Sequence, residues 1–102
     1  MFLADSLDVI RAFPGTVRRE AGFQLDKVQR GLMPDDGKPM KSIGQGVNEI
    51  RIRDTLGAFR VIYVAKLEEA VYVLHAFQKK TQKTAKPELD LAKARFQVLK
   101  QR

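Results

Sequence analysis

Apolar residues recur at helical spacing in two stretches near the start of the chain and in one near its end. The first stretch runs from Leu7 to Phe13; Pro14 ends it, and Asp5 or Ser6 can cap it. The other two apolar sets are Val17, Ala21, Leu25, Val28 and Leu32, and Leu89, Ala92, Phe96 and Leu99. This spacing predicts two N-terminal helices joined by a tight turn and one C-terminal helix.

Glycine and proline residues mark the ends of these helices and the loop that follows the second one. Gly31 suits the end of the second helix, and Pro87 followed by Glu88 suits the start of the third. Residues 33–46 contain three glycines, two prolines and two aspartates, a composition that predicts a mobile loop.

After this loop the apolar pattern changes from helical spacing to alternation, which is typical of β-strands. Val47–Arg53, Ala58–Ala65 and Ala70–Phe77 are rich in Val, Ile, Tyr and Phe and are predicted as three strands. The links at 54–57 and about Lys66–Glu69 are short, so the strands are expected to form antiparallel hairpins. The predicted fold class is therefore α+β: a single domain over residues 1–102, with two N-terminal helices and a C-terminal helix packed on a small antiparallel sheet.

A simple register follows for the two hairpins. The expected pairs are Arg53–Ala58, Ile52–Phe59, Arg51–Arg60 and Ile50–Val61 in the first hairpin, and Arg60–His75 and Tyr63–Tyr72 in the second. Because side chains alternate across a sheet, one face is then apolar and is expected to pack on the helical pair. That face carries Ile50, Ile52, Phe59, Val61, Tyr63, Ala65, Tyr72, Leu74 and Ala76. The other face carries Ile62, Val64, Val71 and Val73, which the C-terminal helix can cover, and Glu49, Arg51, Arg53, Arg60, His75 and Phe77.

The second face brings Arg51, Arg60 and His75 into one predicted cross-strand row. Like charges directly opposite on a sheet cost up to about 1 kcal/mol, and an anionic ligand would turn that repulsion into attraction. The alternative is structural: Glu49 and Asp54 lie close enough to pair with the arginines, and a lone strand histidine is commonly a hydrogen-bonded structural residue.

The charge of the chain favours a polyanionic partner, and its composition excludes several chemistries. Of the 102 residues, 19 are Lys or Arg and 12 are Asp or Glu, and the whole excess of +7 falls after Ile50. Four lysines lie between Gln78 and Lys86 with no acid among them, which favours phosphates or carboxylates as partners, with a solvated basic face as the alternative. The absence of Cys and the single His exclude a thiolate or His-rich metal site, and no apolar run is long enough to span a membrane.

Several segments resemble the HigB-like, phage-derived branch of the RelE/ParE toxin superfamily. The most specific is the block His75-Ala76-Phe77-Gln78-Lys79-Lys80, which follows the strand segment Arg60-Val61-Ile62-Tyr63. Similar too are Glu49-Ile50-Arg51, Thr81-Gln82-Lys83-Thr84, the opening from Ser6 to Pro14, and Glu88, Ala92 and Arg95 in the last helix. The resemblance covers about residues 5–96.

The resemblance implies a toxin of a type II toxin–antitoxin system with the RelE-like fold. The RNA-cleaving members of that superfamily cut messenger RNA in the ribosomal A site without a metal or other cofactor, which implies a cytoplasmic endoribonuclease that inhibits translation. The implied partners are mRNA on the ribosome, ribosomal RNA and a helix-turn-helix antitoxin. Members usually have an N-terminal strand. Because only Met1–Ala4 are available here, we expect either that the strand is short or that the sequence begins within it.

For such cleavage the 2′-hydroxyl of the RNA attacks the phosphate and leaves a 2′,3′-cyclic phosphate, and the candidate catalytic residues are cations. Arg51 and Arg60 are expected to clamp the phosphate and His75 to transfer protons. Lys79 is expected to hold a flanking phosphate or to protonate the leaving group. The candidate RNA-binding residues are Arg53, Phe77, Lys80, Lys83 and Lys86, with Phe77 stacking on a base.

Two other functions fit the same sequence. A ParE-like toxin would poison gyrase and cut no RNA, and a non-catalytic module would bind RNA without producing cyclic-phosphate ends. The predicted row of Arg51, Arg60 and His75 favours the nuclease over the gyrase poison. The lack of paired exposed aromatics on the predicted sheet disfavours the binding module.

Overall fold

The computed structural model describes residues 1–66 and 70–101, which form a four-stranded antiparallel sheet with helices on both faces. The helices are α1 (Ser6–Ala12), α2 (Gly15–Gln29) and α3 (Lys86–Lys100). The strands are β1 (Gly37–Pro39), β2 (Val47–Asp54), β3 (Gly57–Lys66) and β4 (Ala70–Lys79), in the spatial order β1-β2-β3-β4. The predicted α+β class is confirmed, and no helix among the described residues is long and apolar enough to cross a membrane.

Two hydrophobic clusters hold the helices on the sheet. The first lies between the helical pair and one sheet face, and its members are Ile10, Phe13, Val17, Ala21, Leu25, Val28, Ile50, Ile52, Phe59, Val61, Tyr63, Val71, Val73 and Ala76. The second lies under α3, and its buried members are Met40, Ile43, Val47, Ile62, Val64, Leu74, Phe77, Ala92, Phe96 and Leu99. Burial raises the pKa of the Tyr63 hydroxyl, as expected for a phenol in the first cluster. The apolar spacing therefore predicted correctly which face each helix buries.

The helix ends differ in two details from the prediction. Neither Asp5 nor Ser6 caps α1 with its side chain: Asp5 pairs with Arg95 at 2.8 Å, and the Ser6 hydroxyl donates to the Val73 carbonyl. Leu32 does not belong to the apolar face of α2, because Gly31 adopts a φ of +82° and ends the helix before it. Leu32 is consequently half exposed.

The prediction that residues 33–46 form only a mobile loop is wrong. Gly37–Pro39 form the edge strand β1, which pairs antiparallel with β2 through the positions Gly37–Ile50 and Pro39–Asn48. Met40 and Ile43 are buried in the cluster under α3. The strand has only three residues, and its glycine, lysine and proline are residue types that are rare in strands. The sequence pattern therefore does not predict it.

The start of this segment is tied to α2 by polar contacts. Gln24 is buried, donates to the Asp35 carboxylate at 2.7 Å and accepts from the Asp35 backbone N–H at 2.9 Å. The hydrogen bonds from Lys27 and Gln24 lower the pKa of Asp35. These contacts fix the approach of the chain to β1.

The first hairpin has the predicted register, but the second does not. In the structure Arg60 faces Phe77 and Ile62 faces His75, whereas Tyr63 faces Val73. A β-bulge at this point leaves one extra residue in β4 and shifts the register by one residue beyond it. The predicted faces of β4 are therefore exchanged on the far side of the bulge: Val71 and Val73 pack under α1 and α2, and Tyr72 and Leu74 pack towards α3. Most of the predicted link Lys66–Glu69 lies outside the described residues.

The chain start forms a short parallel contact with β4. Phe2 pairs with Val73 in a single parallel bridge. The Leu3 N–H donates to the Val73 carbonyl at 2.9 Å, and the Val73 N–H donates to the Met1 carbonyl at 2.8 Å. This contact continues the sheet beyond β4 by one short segment.

We predict that Gly44→Ala destabilises the protein by about 2 kcal/mol, because a Cβ at this position would overlap the ring of Phe96 on α3. Gly22→Ala is the matched control: Gly22 lies on the exposed side of α2 with nothing near its Cβ position, so the same change should stabilise by about 0.5 kcal/mol. Urea unfolding measures both. Equal effects of the two changes would contradict the close approach of residues 40–46 to α3.

Candidate functional site

The polar residues of the α3-facing side of the sheet lie in three consecutive cross-strand rows. The rows are Glu49–Ile62–His75, Arg51–Arg60–Phe77 and Arg53–Ala58–Lys79. Ile62 and Phe77 belong to the cluster under α3, so the first two rows run from β2 into the core under that helix. The third row lies nearest the β2–β3 turn.

The predicted row of Arg51, Arg60 and His75 is therefore wrong in one member. Arg51 and Arg60 are direct neighbours as predicted, but Phe77 takes the place opposite Arg60. The reason is the longer reach of β4, which pairs as far as Lys79 with Ala58 and moves His75 two positions along β3. A shift of two residues keeps the same face, so His75 stays on the α3 side.

A groove with basic walls opens at the end of the sheet. It has a volume of about 340 Å³ and is lined by Arg53, Asp54, Gly57, Ala58, Arg60, Lys79 and Thr81. It adjoins a cleft of about 470 Å³ lined by Phe77, Gln78, Lys79, Lys80, Thr81, Ala85, Pro87 and Glu88. Lys79 and Thr81 line both, so the two cavities adjoin; we call them together the basic groove, between the β2–β3 turn and the start of α3.

Arg60 is buried in this groove and makes a single hydrogen bond to the described residues. Only 6 % of the residue is exposed, and its Nη1 donates to the Phe59 carbonyl at 3.1 Å. Its Nε has no hydrogen-bond partner among the described residues, and Oε1 of Glu49 lies 3.8 Å from it. Burial lowers the pKa of Arg60, and the Glu49 carboxylate raises it in part. The result is a buried cation with spare N–H groups.

Glu49 is the carboxylate that balances the two arginines. It is 2 % exposed and accepts from the Arg51 Nε at 2.9 Å, and its Oε2 has no hydrogen-bond partner in the described part of the chain. The expectation that it pairs with the arginines is confirmed. The Glu49 carboxylate and Arg60 are buried, whereas about a third of the Arg51 side chain is exposed. Alternation along β2 correctly places Glu49 on this face. It does not show that neighbouring elements cover the side chain, so the burial of Glu49 was not predicted.

His75 is buried between β4 and α3 with both ring nitrogens engaged. Arg95 Nη1 lies 3.0 Å from Nδ1, and because arginine can only donate, Nδ1 accepts and the ring proton is on Nε2. Nε2 then donates to the Glu88 carboxylate at 3.0 Å. Neither nitrogen of His75 is open to a substrate in this arrangement, so the geometry does not support the prediction that His75 itself exchanges protons with the RNA.

The remaining predicted site residues separate into two groups. Arg53, Lys79 and Lys80 line the basic groove, as a phosphate-binding role requires. Phe77 is 6 % exposed and stacked on His75 with ring centroids 5.4 Å apart, so too little of its ring is open to stack on a base. Lys83 and Lys86 are exposed beyond the groove lining, where Lys86 pairs with Asp90 at 3.3 Å.

Sequence reasoning missed the site roles of Glu88 and Thr81. Glu88 was placed at the helix start and among the resembling residues, and Thr81 within a resembling segment. Neither was predicted as a site residue, yet both line the groove. The signal for Glu88 was its position in the first turn of α3, immediately after the lysine-rich loop. Within the described residues, no group of three or more His, Asp or Glu side chains could hold a metal ion.

These features define a small α+β protein whose antiparallel sheet carries a basic groove at one end. The chain belongs to the family of phage derived proteins described as Gp49-like (DUF891), whose model matches residues 8–97. The match includes every strand and every residue that lines the groove. No curated protein matches the chain.

We predict that Glu49→Ala lowers the free energy of unfolding by about 3 kcal/mol, because the buried Arg60 charge loses its neighbouring carboxylate. Asp90→Ala, which breaks an exposed ion pair on α3, is the control and should change stability by less than about 0.5 kcal/mol. Urea unfolding followed by circular dichroism gives both values. A Glu49→Ala variant as stable as the control would mean that the arginines need no buried counter-charge.

Proposed function

We propose that this protein is the toxin of a type II toxin–antitoxin system, of the HigB-like branch of the RelE/ParE superfamily, and acts as a ribosome-dependent mRNA endoribonuclease. Membership of the phage-derived Gp49-like family supports the coarse assignment. The sequence blocks from Arg60 to Tyr63 and from His75 to Lys80 support the branch. The basic groove supports RNA cleavage, because its arginine and lysine side chains can bind a phosphate.

The observation that carries the proposal is the state of Arg60. A guanidinium that is 6 % exposed, with a single hydrogen bond among the described residues, is an expensive arrangement for stability alone. An RNA phosphate in the groove would accept hydrogen bonds from the free N–H groups of Arg60. Two parallel N–H···O bonds are the geometry that guanidinium and phosphate groups favour. Lys79 and Arg53 line the same groove and add charge at its mouth.

The chemistry needs three contributions from such a groove. The 2′ oxygen of the RNA attacks the neighbouring phosphorus, negative charge builds up on the phosphate oxygens, and the bond to the 5′ oxygen breaks. Arg60 and Lys79, which both line the groove, would stabilise that charge in this proposal. Arg51, held by Glu49, lies next to Arg60 on the adjacent strand. Lys79 is also the candidate proton donor to the leaving oxygen.

The partners follow from the same proposal. Exposed Lys80, Lys83 and Lys86, in the loop between β4 and α3 and at the start of that helix, are suited to phosphates of ribosomal RNA beside the bound message. In the branch that the sequence resembles, a helix-turn-helix antitoxin neutralises the toxin in the cytoplasm. An adjacent reading frame for such a protein would support this part of the proposal.

We expect Arg60→Lys to reduce mRNA cleavage at least tenfold, because lysine keeps the charge but loses the planar fork. Lys79→Ala is expected to reduce cleavage about a hundredfold by removing a charge from the transition-state site. Primer extension on mRNA from translating ribosomes, with analysis of the 3′ ends for cyclic phosphate, measures both. Arg30→Ala, an exposed arginine on the opposite layer, is the control and should cleave like the unchanged protein.

Cleavage by both groove variants at the unchanged rate would contradict the proposed site. If the unchanged protein gives no cleavage and instead traps gyrase on cut DNA, the ParE-like alternative holds. RNA binding without any cleavage would identify the non-catalytic module.

Binding to RNA is expected to weaken steeply with salt, because each neutralised phosphate releases counterions. Arg53→Ala should lower the slope of log affinity against log salt by about one. Fluorescence anisotropy with a labelled 2′-O-methyl RNA, which cannot be cleaved, gives the slope. An unchanged slope for Arg53→Ala, equal to that of the Arg30→Ala control, would place RNA outside the groove.

A further inference from the structure

Three carboxylates lie in or beside the basic groove, and they differ in what their oxygens do. Glu49 is 2 % exposed and turned to the arginines. Asp54 uses both oxygens: Oδ1 accepts from the hydroxyl of Thr16 on α2, and Oδ2 accepts from the Leu56 N–H in the β2–β3 turn. Glu88 accepts from His75 through Oε1 only, and its Oε2 makes no hydrogen bond to the described residues.

Glu88 is also the carboxylate that reaches the groove while being held in place. About a quarter of its side chain is exposed, and it lines the cleft together with Lys79, Lys80 and Thr81. The His75 ring that holds Oε1 is itself fixed by Arg95, which also binds the Leu74 carbonyl at 3.0 Å and Asp5 at 2.8 Å. A hydrogen-bonded chain therefore runs from Asp5 through Arg95 and His75 to Glu88.

The direction of the protons in this chain assigns different roles to its members. Because Arg95 donates to Nδ1, the His75 proton lies on Nε2 and is donated to Oε1 of Glu88. If Nδ1 of His75 also carried a proton, it and the Arg95 guanidinium would both be donors, and the hydrogen bond between them would be lost. His75 thus orients a base and is poorly arranged to be one.

We infer that Glu88 is the general base of the groove and that His75 is its positioning residue. This inference rests on the proposed function. Oε2 of Glu88 takes the proton of the RNA 2′-hydroxyl as the 2′ oxygen forms its bond to phosphorus. The bond from phosphorus to the 5′ oxygen breaks, and that oxygen takes a proton from Lys79; Glu88 and Lys79 then return to their starting forms by exchange with water.

The test is single-turnover cleavage of mRNA on ribosomes at saturating protein, measured across pH. Glu88→Gln keeps an oxygen that can accept from His75 but cannot take a proton, so the rate should fall a hundredfold or more. The rise of rate with pH, which reports deprotonation of the base, should disappear. Ribosome binding should be retained or strengthened, because a negative charge has left a basic groove.

Two further variants separate catalysis from structure. Glu88→Asp keeps a carboxylate and should retain the pH dependence at a reduced rate. Asp90→Asn removes an exposed carboxylate two residues further along α3 and should retain both rate and pH profile. Thermal unfolding of each variant reports whether the β4–α3 contact survives.

The possible outcomes are distinct. A Glu88→Gln variant that is folded and cleaves within threefold of the unchanged protein, with the pH dependence intact, overturns the inference and leaves the endoribonuclease proposal standing. Loss of rate in Glu88→Asp and Glu88→Gln alike, with the pH dependence kept by both, would also overturn it by showing a structural role. If the unchanged protein does not cleave, the proposed function and this inference fail together.

Discussion

The β-bulge in β4 is the constraint on which the rest of the structure depends. It lies where the pairing changes from Ile62–His75 to Tyr63–Val73, and it turns Leu74 and His75 towards the same face. On one side of the bulge, β4 packs Val71 and Val73 under the helical pair. On the other side, the strand is aligned so that Lys79 lies beside Ala58 and Arg53 at the mouth of the groove.

The bulge also decides what α3 can touch. With Leu74 and His75 on the same face, Leu74 fills the apolar cluster under α3, and its carbonyl and the His75 ring both bind Arg95. The start of α3 is then held over the groove by the hydrogen bond from His75 to Glu88. The same irregularity therefore joins the third helix to the sheet and sets one wall of the candidate site.

The sequence predicted well what depends on local pattern. The apolar spacing of α2 and α3 identified their buried faces, and a four-residue turn after Arg53 was enough to pair Arg51 with Arg60. The excess of positive charge after Ile50 was traced correctly to residues that include Arg53, Arg60 and Lys79, which line one groove.

What the pattern missed depends on contacts between distant residues. The run from Val71 to Leu74 is apolar at every position, so a one-residue slip changes which side chains face each helix without exposing a polar one to the core. The partners that settle the register at His75 are Glu88 and Arg95, which are 13 and 20 residues away. The spacing of residues in the sequence does not indicate such long-range contacts.

The most direct test of the account is to locate RNA on the protein. Amide NMR spectra of the labelled protein, titrated at low salt with a short 2′-O-methyl RNA, report which backbone groups change their surroundings. We predict the largest shifts at Arg53, Ala58, Lys79 and Thr81, around the basic groove. Shifts confined to the α1–α2 side of the sheet, or none near the groove at saturating RNA, would contradict the claim that this groove binds the phosphate backbone.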